Sequence, residues 1–234
     1  NTEEIARIRL VEPHTDVLSP PGHRAFSDPP GLLRFLDRLR ALSGGKPVGF
    51  KLCVGSMREF EALCSAMQDT GIVPDFITVD GAEGGTGAAP LEYSDSVGVP
   101  LAHALPRVHA ALEHHGLRSK VRLLASGKII TAFDVLEALA LGADACNMAR
   151  GFMLALGCIQ ALRCDRNSCP SGVATQDPRL YRGLVPEDKK DRVANFHRET
   201  LQAVLELSAA CGVADPHAIT LERFVEFAAG RHDV

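Results

Sequence analysis

Long apolar runs, blocks of one charge and a basic leader are all missing from this sequence. No apolar stretch approaches the ~18–20 residues that a helix needs to cross a bilayer. The opening Asn1-Thr2-Glu3-Glu4 has neither the basic start nor the apolar core of a secretory leader. These absences predict a cytoplasmic chain without a membrane segment, and a start at Asn rather than Met predicts a piece of a longer polypeptide. Basic and acidic residues are mixed, 25 against 29, for a formal net charge of −4. With no basic block, nucleic acid is not the expected partner. Seven cysteines in 234 residues are too few for a disulfide scaffold. Neither a GxSxG elbow nor an HExxH helix is present, which argues against hydrolase chemistry. What the chain does have is 46% hydrophobic residues, enough for one large domain or a domain with an extension.

From residue 46 to 163, short apolar runs alternate with amphipathic ones. Residues 48–54 read as a buried strand ended by Gly55. Ser56, with Glu59 three residues later, has the pattern of a capping box. Phe60, Leu63, Cys64 and Met67 then share one helix face, and Gly71 stops it. The unit recurs. Strands at 76–79, 121–125 and 145–149 are followed by helices that carry Leu101 to Leu112, that start at the Thr131/Asp134 cap, and that span 152–162. Such alternation predicts parallel βαβ units. No sequence repeat accompanies it, which excludes a solenoid. Upstream, Ile5 and Ile8 mark a short helix, residues 16–18 the end of a further strand before the turn Ser19-Pro20-Pro21-Gly22, and Leu32, Leu36 and Leu39 a helical stripe. Downstream, Pro186 opens a long helix that ends before Gly212. Four βα units are either a small doubly wound sheet or the later half of a (β/α)₈ barrel, which needs ~250 residues when complete.

In either architecture ligands sit at the carboxyl ends of the strands. Lys51, inside an apolar strand, has to meet an anion or face a cavity, because an unpaired buried ammonium is costly. It is directed either at a neighbouring carboxylate or at an anionic ligand. After residue 79 comes Asp80-Gly81-Ala82-Glu83-Gly84-Gly85-Thr86-Gly87, a loop that lets backbone N–H groups approach a ligand, although no P-loop lysine follows. The turns Ser126-Gly127-Lys128 and Ala149-Arg150-Gly151 follow the last two strands, where barrel enzymes hold phosphate. Cys53, Cys64, Cys146 and Cys211 lie among apolar neighbours and are expected in the core, and His114-His115 reads as a solvated helix end. Cys158, Cys164 and Cys169 are different. Spaced by five and four residues, with Pro170 behind, they suit an iron–sulfur cluster, or zinc with a fourth ligand from elsewhere, or are unrelated thiols.

The run from Glu83 to Leu91, together with Gly157-Cys158, Cys164 and Asn167-Ser168-Cys169-Pro170-Ser171-Gly172-Val173-Ala174-Thr175-Gln176, resembles the FMN-binding synthase domain of glutamate synthases. The resemblance extends from about Leu18 to Gln176. It implies an α/β fold that is the C-terminal half of a (β/α)₈ TIM barrel: βα units over residues 1–157, an iron–sulfur loop over 158–176 and a helical extension over 177–234. It implies FMN and a 3Fe–4S cluster as cofactors, with Cys158, Cys164 and Cys169 holding the metal. Lys51 and Glu83 are then the catalytic candidates. Lys51, Gly84, Gly85, Thr86, Ser126, Gly127, Lys128, Ala149, Arg150 and Gly151 are the candidates for the flavin.

The implied substrate is 2-oxoglutarate, aminated through 2-iminoglutarate to L-glutamate. Electrons come from ferredoxin or a reductase subunit, and the missing N-terminal barrel half or a second copy completes the fold. Three departures from the large enzymes stand out: Lys128 in place of a second glycine, Ala149-Arg150 in place of glycine and a small hydroxyl residue, and Asp165-Arg166 in place of His-Thr. No amidotransferase segment is present in these 234 residues. Two other readings remain at this point: a non-catalytic metal-binding or redox-sensing module, and a different FMN barrel oxidoreductase.

Overall fold

A computed structural model describes residues 1–18, 20 and 22–223. The chain runs α1 (Glu3–Arg9), α2 (Pro29–Leu42), β1 (Gly49–Leu52), α3 (Met57–Thr70), β2 (Phe76–Asp80), α4 (Leu91–Asp95), α5 (Leu101–His114), β3 (Arg122–Ser126), α6 (Ala132–Ala140), β4 (Ala145–Asn147), α7 (Ala149–Leu156), α8 (Pro178–Tyr181) and α9 (Pro186–Ala210). The four strands form one parallel sheet in the order β1-β2-β3-β4. This order never reverses. Right-handed crossovers therefore place successive helices on the same face of the sheet. A doubly wound sheet, in contrast, turns back at a switch point.

Local sequence accounts for the element ends. Thr131 and Asp134 form a reciprocal capping box on α6, and Gly71 ends α3 in the left-handed conformation, φ +68°. At α3 the expected box does not form: Ser56 is the N-cap, but its side chain makes no capping bond. Pro186 occupies the first turn of α9, and Gly212 follows its end with φ +73°. The apolar stripes meet in a core made of Leu33 and Leu36 from α2, Phe60, Cys64 and Met67 from α3, Ile77 and Val79 from β2, Leu105, Val108 and Leu112 from α5, and Leu123 and Ala125 from β3. A smaller cluster of Leu136, Val204 and Ile219 seats α9 against α6.

Two matching ion-pair clasps close the amino ends of the strands. Asp75 takes the Val48 N–H at 2.7 Å and the Arg40 guanidinium at 2.9 Å; Asp144 takes the Leu123 N–H at 2.7 Å and Arg118 at 3.0 Å. The Val48 amide and Arg40 hold Asp75 below the usual carboxylate range. Burial works against ionisation of Asp144, but Arg118 and the Leu123 amide outweigh it and hold this carboxyl low as well.

Several expectations need correction. Residues 16–18 form no strand; Leu18 is 89% exposed, and among the described residues no strand pairs with this segment. Of the turn expected after them, Ser19 and Pro21 lie outside the described residues. The last strand stops at Asn147, because Ala149 already opens α7, and that helix ends at Leu156 rather than at 162. Gly157, at φ +104°, turns the chain out of the helix there. Cys53 is exposed rather than buried. Two residues after Lys51, it points to the same face of the chain, away from the core that holds Leu52 and Val54. His115 is not a solvated end: it bridges α5 to α3, bonding Glu61 at 2.7 Å and Gln68 at 3.0 Å.

Candidate active site

A cavity of about 430 Å³ opens at the carboxyl ends of the strands, within the range of small-molecule sites. It gathers Lys51 from β1, Glu83, Gly84, Gly85 and Thr86 from the loop after β2, Ser126, Gly127 and Lys128 from the end of β3, Ala149 and Arg150 from the start of α7, and Cys158, Cys164 and Cys169. Gly151 is not among its walls. That glycine is buried under α9, where a Cβ would lie 2.6 Å from the Phe196 ring, so the absence of a side chain there permits the close approach of α7 to α9.

Lys51 is 60% exposed into this space, and its ammonium meets Asp80 at 2.9 Å. Glu83 faces the cavity, while both its oxygens accept from the Leu101 N–H, at 3.0 and 3.1 Å, pinning the glycine loop to the start of α5. Gly85 has φ +90° and empty space where a side chain would point, as a backbone open to a ligand requires. On the opposite wall, α7 has no side-chain cap at Met148. Its first-turn N–H groups are thus available to an anion, beside Arg150 and Lys128. Lys128 has φ +49°. A lysine held in this left-handed conformation is strained. These donors and cations fit a phosphate-bearing flavin.

The cysteine segment is also strained, with Gln160, Leu162 and Asn167 all at positive φ. Asn167 closes it: its carboxamide oxygen accepts the Gln176 N–H at 2.6 Å, and Thr175 donates its hydroxyl to the Asn167 carbonyl at 2.7 Å. This clasp arranges a nest of donors round Cys169, whose sulfur lies 3.3 Å from the Ser171 hydroxyl. Burial pushes the Cys169 thiol up, but Ser171 and the N–H groups of Ala174, Ser171 and Val173 prevail and bring it down to about 7. Cys64 and Cys146, buried without such donors, are pushed up to about 11.

Cys164 abuts the glycine loop, where a Cβ on Gly87 would lie 2.7 Å from its sulfur. Among the described residues no three His, Cys, Asp or Glu side chains are gathered round one point. A single zinc ion held by the three thiols therefore does not fit. All three thiols nevertheless line the same cavity. Asp80, Gln160, Arg163 and Ser171 also line the cavity and were not anticipated, although Asp80 stands directly ahead of the glycine loop.

The fold is thus of the parallel α/β class, with one cavity at the carboxyl ends of its strands lined by cations, glycines and three thiols. The family follows from comparison: the profile described as "Conserved region in glutamate synthase" matches residues 1–214. The chain belongs to this family. It is 47% identical to the "Glutamate synthase large subunit-like protein YerD" of Bacillus subtilis over 224 residues, covering 96% of this chain and 42% of that protein. It is 36% identical to the "Archaeal glutamate synthase [NADPH]" of Methanocaldococcus jannaschii over 213 residues, covering 91% of this chain and 41% of that one. The chain thus spans less than half the length of these relatives. Among solved structures, a flavocytochrome b2 mutant with benzoylformate overlays with a TM-score of 0.46 at 15% identity, over 79% of this chain and 37% of that one.

Proposed function

We propose that the chain is the C-terminal half of a (β/α)₈ FMN domain, and that the whole protein is a cytoplasmic glutamate-synthase-like oxidoreductase that reductively aminates 2-oxoglutarate to L-glutamate. The single observation that carries this reading is one cavity that brings together the strand lysine, the glycine loop, two phosphate-side turns and three cysteines. The unreversed strand order supports the barrel, whose remaining strands would come from the rest of the polypeptide or from a second copy. When bound, FMN supplies the hydride that reduces 2-iminoglutarate, and a 3Fe–4S cluster supplies its electrons from ferredoxin or a reductase subunit.

The residues of the chain set the stage for this. Lys128, Arg150 and the α7 amides hold the phosphate. Lys51 orients a substrate carboxylate against the glycine loop, and Glu83 keeps that loop in place by its hold on α5. The nest round Cys169 brings its thiol down to about 7, which favours loss of the proton when iron binds. Cys158 and Cys164 complete the metal ligands, Cys164 against the substrate loop.

The test is metal and flavin analysis of the full-length protein with Cys164→Ser. Wild type should carry FMN, iron and acid-labile sulfide. The variant should keep its FMN and lose the iron. Unchanged iron and sulfide in the variant would contradict the ligand assignment.

A further inference from the structure

We propose that Asp80 is the built-in counter-ion of this site: a positioning residue that fixes the Lys51 ammonium at the cavity floor and offsets part of its charge. The proposal rests on the flavin reading given above. Asp80 is the last residue of β2, and Lys51 lies on the adjacent strand, in register with Thr78. Asp80 is buried, and one carboxylate oxygen meets the Lys51 ammonium at 2.9 Å. The other oxygen is buried too, and it is the only such side-chain atom among the described residues without a hydrogen-bond partner.

Stability does not explain this arrangement. Taking a carboxylate out of water and leaving half of it without a donor is unfavourable, and a pair whose lysine is largely exposed returns little. The arrangement does explain an electrostatic role. A carboxylate that few donors neutralise keeps its negative potential, and it directs that potential at one ammonium. The glycine loop is built round it. A Cβ on Gly84 would run into the unpartnered oxygen, so glycine at 84 is what lets the loop cover Asp80. Glu83, the other carboxylate on the cavity wall, is committed to the Leu101 N–H. Of these two cavity carboxylates it is Asp80 that meets the Lys51 ammonium.

The sign of the effect follows. Lys51 alone favours negative charge on a bound flavin and on a substrate carboxylate, and Asp80 tempers both. The experiment compares the full-length FMN-loaded protein with Asp80→Asn, Lys51→Met and the double variant, reading the flavin midpoint potential and the dissociation constant for 2-oxoglutarate. Asp80→Asn should shift the potential positive and tighten 2-oxoglutarate about five- to tenfold. Lys51→Met should shift the potential negative and weaken 2-oxoglutarate. The double variant should lie more positive than Lys51→Met and close to wild type. If Asp80→Asn does not fold, the step from Lys51→Met to the double variant carries the same sign test. No shift, or a negative shift, on removing the carboxylate from protein that retains FMN would overturn the counter-ion role and leave the flavin reading standing. A wild type that binds no FMN would overturn both.

Discussion

Lys128 shows how a single residue trades conformation for charge. It occupies a left-handed backbone position, φ +49°, at the cavity wall. Glycine would adopt this conformation without the roughly 1 kcal/mol that a side chain costs there. Lys128→Gly relieves this backbone cost but should weaken FMN binding by about tenfold, as loss of one phosphate cation implies. Flavin titration checks this. An unchanged flavin affinity would remove Lys128 from the phosphate site.

Cys53 makes the same point about single residues in the other direction. Its apolar neighbours suggested the core, but the period-two alternation of a strand puts it on the face of Lys51, and that signal was present in the sequence. Asp80 was equally visible as a residue at the end of a strand. Its pairing with Lys51, 29 positions away, was not.

At the scale of elements, legibility tracked the range of the interaction. The stripes of α2, α3 and α5, the box on α6 and the proline start of α9 are local patterns, and each one stands where the sequence placed it. The end of α7 was missed because the apolar period continues past Gly157, whereas the left-handed turn there overrides it. The clasps under the sheet were invisible, since Arg40 and Asp75 are 35 residues apart and Arg118 and Asp144 are 26 apart.

These clasps hold strand ends together, and their carboxyls are both depressed in the folded protein. A depressed carboxyl contributes stability that is present above its unfolded pKa, near 3.9, and is lost as pH falls through the lower folded value. Asp144→Ala leaves the buried side of Arg118 and the Leu123 amide without their acceptor, and should lower unfolding stability at pH 7 by about 2 kcal/mol. The gap between wild type and variant should narrow below about pH 4. Urea unfolding at neutral and acid pH checks this; a gap independent of pH would mean that the ionised form of Asp144 is not what closes the clasp.

For the molecule as a whole, the organisation is polarised. One end of the sheet is tied by ion pairs, and the other is left open, strained and lined with cations, glycines and thiols. Strain in the cysteine segment and a left-handed lysine on the facing wall are kept on the functional end, while the opposite end and the core hold the sheet in register. The helical extension contributes to this rigidity. α9 lies against both α6 and α7, with Phe196 edge-on to Phe152 at 5.1 Å, and so fixes the helix whose first turn faces the cavity.

On the function proposed above, this open end houses a flavin and a three-iron cluster side by side. Low-temperature EPR of the oxidised full-length protein, recorded together with its visible spectrum, tests this most directly. The account predicts flavin absorbance and a paramagnetic three-iron signal that disappears in Cys169→Ser. A colourless, EPR-silent wild type, or a signal that survives loss of Cys169, would contradict it.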